Sequence, residues 1–254
     1  MLVKGIYFRL KNVLRTGFNW AYGGGTCLVC GSETFLGEVC KKCKDNLLLN
    51  YCDCHEKEIR CSVCGKVLLS EEGTCMACRN ERIIKSCDSV FPILPYRLWG
   101  KTLMFHWKML EKRGISFLVA EMCSKVLASR FGCGSKNLVP VPPRPGKIRK
   151  KGWDQIEEVC SILEGVYGHK VLKLLKRNAS IQQKKLDRKH RLDGSAERYG
   201  LSGKGINIKR ENLPKRVILI DDVMTTGITV ESCAKVLKSL GIEKVDVLTV
   251  FIVD

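Results

Sequence analysis

Apolar residues run without a break from Val217 to Ile220, and again from Val245 to Val253 with only Asp246 and Thr249 interrupting. Runs of this kind mark central parallel strands covered on both faces. Between them, "TVESCAKVLKSLG" sets Val230, Cys233, Ala234, Leu237 and Leu240 on one helical stripe and stops at Gly241. Strand, turn, helix and strand together make the crossover unit of a parallel α/β sheet. Upstream, "SVFPILPYRL" reads as a strand, and "WGKTLMFHWKML" and "ISFLVAEMCSKVLASRF" as helices. In the second helix Ile115, Leu118, Val119, Met122, Val126 and Leu127 share a face, and Gly132 and Gly134 end it. His106, between Phe105 and Trp107, reads as a packed boundary residue.

"NLVPVPPRPGKIRKKGWDQ" begins as a short strand and turns into alternating prolines, which fix the backbone and remove donors. This predicts a rigid loop at a sheet edge. Gly152–Trp153–Asp154–Gln155 then opens the helix "DQIEEVCSILEGVYG". The stretch that follows is polar, basic and poorly patterned. About 176–200 it is expected to be a flexible hood, closing on a small ligand or lying along nucleic acid.

The amino-terminal third has a different texture. "CLVCG" and "CKKC" supply Cys27, Cys30, Cys40 and Cys43; "CSVCG" and "CMAC" supply Cys61, Cys64, Cys75 and Cys78. Each CxxC sets two thiolates on one tight turn, helped by Gly31 and Gly65, and two such turns close a tetrahedral four-sulfur zinc site with no open position. Two structural zinc ions are therefore expected, bracing a segment too small to hold a core of its own. Sequential and crossed pairing of the turns both fit the spacing. Cys52, Cys54, His55 and Cys87 lie nearby, either as replacement ligands or as free thiols and a surface histidine. The expected organisation is a basic amphipathic segment over 1–24, a double-knuckle unit over 25–88 and an α/β domain over 89–254.

Fifteen cysteines in all, an odd number and mostly at metal-ligand spacing, argue for a reducing compartment over a disulfide framework. Residues 1–20 scatter Lys and Arg among their apolar positions, unlike a signal peptide, and no apolar run is long enough to cross a bilayer. A cytoplasmic protein without membrane insertion is expected. Its formal charge is +18, and Lys136–Arg216 alone carries 21 basic against 8 acidic residues. Such an excess suits polyanionic partners, phosphates or nucleic acid.

Against that background two adjacent acids, Asp221 and Asp222, follow "VILI" at the expected strand end, and a Thr-Thr-Gly turn follows them. A helix amino terminus offers unpaired N–H groups and a positive dipole end, and Gly227 would let a phosphate come close. Thr225, Thr226 and Thr229 add hydroxyls. The carboxylates would repel a phosphate, but they suit a neighbouring sugar diol and a water-mediated Mg²⁺ contact. Together these residues describe a ribose 5-phosphate site with a metal. The proline loop, with Arg144, Lys147, Arg149, Lys150 and Lys151 beside it, suits a pyrophosphate-sized anion.

"VILIDDVMTTGIT" resembles the phosphoribosyl-pyrophosphate (PRPP) signature of type I phosphoribosyltransferases. The whole chain from about Cys27 resembles the ComF family of competence-associated proteins, which carry the knuckles, "FPILPY", "LVPVPPRP", "RKKGWDQ", "QQKKLDRKHR" and the final signature in this order. The resemblance implies an α/β type I phosphoribosyltransferase-like fold, a mainly parallel sheet with helices on both faces, preceded by a small zinc-ribbon domain. It implies that Asp221 and Asp222 meet the ribose hydroxyls of Mg-PRPP, that Thr225–Thr229 hold the 5-phosphate, and that Pro142, Pro143 and Arg144 form the pyrophosphate loop. Arg149 and Lys151 lie near that loop as candidates to stabilise departing charge. It further implies a role with incoming single-stranded DNA in natural transformation, with a DNA-translocating or recombination protein as a partner. A phosphoribosyltransferase acting on a small acceptor is the alternative. The chain departs from the family at Lys151–Gly152–Trp153–Asp154–Gln155, where relatives tend to have "RGFNQ", and at Arg191, where the usual Arg-x-x-Asn is broken by Gly194. Either Lys108 or Lys112 answers to the lysine that usually ends the first helix.

Overall fold

A computed structural model describes residues 10, 25–35, 37–49, 59–97, 99–178 and 198–253. The expected segment 1–24, Cys52, Cys54 and His55, and the departure at Arg191 and Gly194 lie outside them, apart from Leu10.

Five strands form one parallel sheet: β3 (Ser89–Pro95), β4 (Asn137–Pro140), β5 (Lys170–Val171), β8 (Arg216–Met224) and β9 (Lys244–Ile252), in the order β3-β9-β8-β4-β5. Two-residue strands β1 (Gly25–Thr26) and β2 (Glu33–Thr34) pair antiparallel in the amino-terminal unit, as do β6 (Leu175–Arg177) and β7 (Tyr199–Leu201) beside the main sheet. The apolar runs of β8 and β9 are buried on both faces, because helices cover both. On one face lie α3 (Trp99–Lys108), α4 (Ile115–Phe131) and α6 (Gln155–Tyr167), packed with Ile218, Ile220 and Leu248 in one core. On the other, α8 (Ile228–Leu240) packs Val230, Cys233, Ala234 and Leu237 against Val217, Leu219, Val245 and Val247. The α/β class, the parallel sheet and the two helical layers agree with the sequence expectation.

Local signals explain the helix ends. Asp154 caps α6 by accepting from the amides of Ile156 (3.0 Å) and Glu157 (3.2 Å), and Gly168 closes it in the left-handed conformation. Gly132 and Gly241, both at positive φ, follow α4 and α8. α4 is buried around most of its circumference, packed against the sheet, α6 and the Leu47–Leu48 pair, so it shows little one-sided pattern.

The cysteine-rich segment is built onto this sheet. The first knuckle continues into α1 (Lys41–Leu47), and its Leu47 and Leu48 join the core of α4, where Lys44 also pairs with Glu121 at 2.7 Å. The second knuckle includes α2 (Met76–Asn80), and Cys61, Val63, Leu68 and Cys75 join the opposite core with Val90 and Val230. It also covers the open edge of β3, where Arg60 Nη1 donates to the carbonyls of Gly65 (3.0 Å) and Pro92 (3.2 Å). Prolines on β3 fit such an edge position.

Gly65 is the tightest point of this joint. It sits at φ +72°, and a Cβ there would lie 2.4 Å from the Val90 carbonyl and 2.5 Å from Pro92 Cδ. Gly65→Ala is expected to destabilise the chain by about 3 kcal/mol, from left-handed strain plus overlap with backbone. Thermal melting reads this directly; an unchanged transition would contradict the docking of the knuckle on β3.

Candidate functional site

The sheet changes direction between β4 and β8. β4 leads through α6 to β5 on one side, while β8 leads through α8 to β9 on the other, and the two helices lie on opposite faces. In an open parallel sheet, the crevice outside the carboxyl ends of two such strands is the usual place for a ligand. The proline segment leaves β4 at that end, where the Val141 amide donates to the Ile220 carbonyl at 3.0 Å. It therefore leaves an interior strand, not a sheet edge as expected, because β5 adds a short strand outside β4. Asp221 is the next residue along β8.

The acids do not end their strand. β8 continues through them to Met224, with Asp221 opposite Thr249 and Met224 opposite Ile252 of β9. Successive strand residues face opposite ways, and so do these two. Asp222 accepts from Lys108 Nζ at 2.7 Å, with 16% of its side chain exposed. Asp221 is buried, and one of its oxygens accepts from the Asp222 amide at 2.9 Å. Burial, and then the Asp222 charge, push the Asp221 carboxyl well above the usual carboxylate range, although that amide and Lys108 oppose the shift. Asp221 in turn raises the buried Cys233 thiol beyond what burial alone does.

After Met224 the chain turns at Thr225 and Thr226, both exposed, and enters α8 at Ile228. Gly227 precedes the helix at φ +84°. A Cβ on Gly227 would sit 2.6 Å from Ile84 Cδ1, so the room left by the missing side chain is filled by Ile84. Thr229 lies beside Tyr199, whose ring lies under the Arg177 guanidinium at 5.5 Å. The root of the expected hood, β6 and β7, thus reaches the first turn of α8. Residues 179–197 lie outside the described residues.

Pro143, Arg144, Pro145, Gly146, Ile148 and Arg149 line an open depression of about 470 Å³, and the acids are not part of its wall. Arg144, Arg149 and Lys150 are exposed on the loop and on α5 (Lys147–Lys151), with no ion pair among the described residues. Lys151 pairs with Glu111 at 3.4 Å, and Lys147 holds the capping Asp154 at 2.5 Å. Pro142 is half-buried at the start of the loop. His106 is a boundary residue, its pKa lowered by burial and then by Lys112.

Sequence reasoning missed two residues at the crevice, Tyr199 and Ile84, and left the lysine that ends the first helix open between Lys108 and Lys112, of which Lys108 reaches Asp222. Lys108 had a signal, being the last residue of the helix that follows the edge strand. Tyr199 and Ile84 had none, because only the folded chain brings them to α8.

The eight knuckle cysteines form two groups, Cys27, Cys30, Cys40, Cys43 and Cys61, Cys64, Cys75, Cys78, with all sulfurs in a group within 4.8 Å of one another. The turns therefore close sequentially. Cys30 and Cys40 sulfurs are 3.8 Å apart, and Cys64 and Cys75 sulfurs 3.7 Å. A tetrahedral ion with Zn–S bonds of about 2.3 Å has an edge of about 3.8 Å, so either group could hold structural zinc. Cys87 belongs to neither group; its thiol donates to the Val230 carbonyl. Among the described residues no helix is long and apolar enough to cross a membrane.

No family model matches the chain. It is 26% identical over 235 residues to "Competence protein ComFC" of Streptococcus pneumoniae, covering 86% of this chain and 96% of that protein. The resemblance to the ComF family drawn from the motifs is borne out by that relative. Among solved structures, the one titled "Structure of the allosteric regulatory enzyme of purine biosynthesis" aligns with 52% of this chain and 25% of its own, at 17% identity and a TM-score of 0.34. This chain thus spans about a quarter of that enzyme.

Proposed function

We propose that this chain binds Mg-PRPP in the crevice between β4 and β8 and acts on single-stranded DNA in a competence-type role. The observation that carries the reading is the reversal of strand order, which brings the cationic proline loop and the acid-to-threonine turn to one end of the sheet. In this reading Asp222 accepts from the ribose hydroxyls. Its Oδ2 holds Lys108, and a carboxylate has enough lone pairs for both. Asp221 lies beneath and fixes the turn. The exposed Thr225 and Thr226, with the first amides of α8 and Thr229, take the 5-phosphate. Arg144 and Arg149 face the diphosphate, with Lys151 beside them. Magnesium, arriving with the ligand and keeping most of its water, screens the diphosphate charge.

The single-stranded DNA part is supported by the curated competence relative and by the basic excess over Lys136–Arg216. A backbone footprint of three or more phosphates gives a slope of about −2 or steeper in log affinity against log salt. Fluorescence anisotropy with an oligothymidylate, run beside calorimetry with Mg-PRPP, tests both halves. A flat salt response would remove the DNA half, and no saturable heat would remove the PRPP half.

A second reading, phosphoribosyl transfer to an acceptor, is favoured by one feature, the exposure of Arg144 and Arg149, which pair with no acid among the described residues. Cations so placed would stabilise a departing diphosphate. Release of pyrophosphate on adding candidate acceptors distinguishes transfer from binding.

A further inference from the structure

The second cysteine knuckle is joined to the turn assigned above to the 5-phosphate. After Cys78 the chain makes a short turn and brings Ile84, buried, into the core that holds Met224 and Val230. Its side chain lies against the bare Cα of Gly227, close enough that any Cβ there would overlap it. Beyond Ile84, the amides of Lys85 and Ser86 both donate to Glu231 Oε2 at 2.8 Å, and Ser86 Oγ donates to Oε1 at 2.8 Å. Glu231 is itself buried in the first turn of α8, where its amide donates to the Gly227 carbonyl at 2.9 Å. A buried carboxylate needs such donors, and here all three come from the irregular segment by which the chain leaves the knuckle. Among the described residues the first knuckle makes no equivalent contact; it packs on the opposite core.

We infer that Ile84 and Glu231 are positioning residues that hold the Thr225–Thr229 turn in its phosphate-accepting form, which makes the second knuckle a wall of the site. The inference rests on the sugar-phosphate reading above. Ile84 sets where the Gly227 backbone lies, and Glu231 ties the helix start to the same segment. An anion cradle made of N–H groups depends on sub-ångström placement, so a shift of this backbone weakens phosphate binding without touching the ligand.

The test uses the full zinc-loaded chain and two probes, ribose 5-phosphate for the turn and Mg-pyrophosphate for the β4 loop. Ile84→Ala is expected to weaken ribose 5-phosphate about tenfold or more, Ile84→Val to restore part of the loss, and Mg-pyrophosphate to stay within about twofold. Glu231→Ala, which leaves the Lys85 and Ser86 amides without their acceptor, is expected to act in the same direction. Zinc content should stay at the wild-type value, while amide exchange over 225–232 quickens. Equal ribose 5-phosphate affinity in wild type, Ile84→Ala and the Glu231 variant would overturn the inference and leave the site reading intact. Parallel loss of both probes with loss of zinc would also overturn it, reducing the two residues to general stability. Failure of the wild-type chain to bind either probe would instead sink the site reading, and this inference with it.

Discussion

Stripping the metal from this chain is expected to unfold the knuckles and to open both cores of the sheet. The free energy of metal binding in small zinc modules is about 10–16 kcal/mol, at or above the total stability of about 5–15 kcal/mol typical of a domain. The loss cannot stay local here, because Leu47 and Leu48 from one knuckle and Cys61, Val63 and Leu68 from the other are buried among residues of the sheet. Removing the second knuckle also uncovers the edge of β3 and takes from the Glu231 carboxylate its amide and hydroxyl donors, leaving Lys235 at 3.9 Å. Elemental analysis should find two zinc ions per chain. Chelation under reducing conditions should abolish the cooperative melt and bring on aggregation through exposed strand edges. A zinc content well below two, or a melt indifferent to chelation, would show that one or both cysteine groups do not hold metal.

The second large effect is at the sugar. Asp222→Ala is expected to weaken Mg-PRPP by about 100-fold or more, since hydrogen bonds to a charged acceptor contribute about 1.5–3 kcal/mol each and a diol makes two. The substitution also frees Lys108, so the fold itself should tolerate it: the pair is partly exposed, and such pairs contribute little to stability. Asp221→Asn should behave differently. Burial already favours the neutral carboxyl there, and asparagine keeps an acceptor for the Asp222 amide. A smaller loss of affinity is therefore expected from Asp221→Asn than from Asp222→Ala. Titration calorimetry on the two variants reads the difference, and an unchanged affinity in Asp222→Ala would remove that residue from the site.

The parts of this fold that were legible in the sequence are those set by local rules. β8, α8 and β9 follow from unbroken apolar runs, a 3.6-residue stripe and Gly241. The start of α6 follows from Gly152–Trp153–Asp154–Gln155, and the cysteine quartets follow from their spacing. The rest depends on contacts that the chain order conceals. Paired acids read as the end of a strand, yet β9 continues to pair beyond them and Asp221 is satisfied by its neighbour's amide. "LKR" and "YGL" sit in a basic, weakly patterned stretch, so the antiparallel pairing of β6 with β7 had no visible alternation. Lys108 and Asp222 are 114 positions apart, and Lys85 and Glu231 are 146 apart. No periodicity reaches across such separations. For the same reason sequence spacing left the pairing of the cysteine turns open, while packing on two different cores of the sheet resolved it.

The crevice between β4 and β8 is tested most directly by a crystal structure of the full chain grown with Mg-PRPP. The expected density has the ribose hydroxyls at Asp222, the 5-phosphate against the amides of 225–229 and the diphosphate toward Arg144 and Arg149. Ligand bound elsewhere on the chain, with that crevice empty, would contradict it.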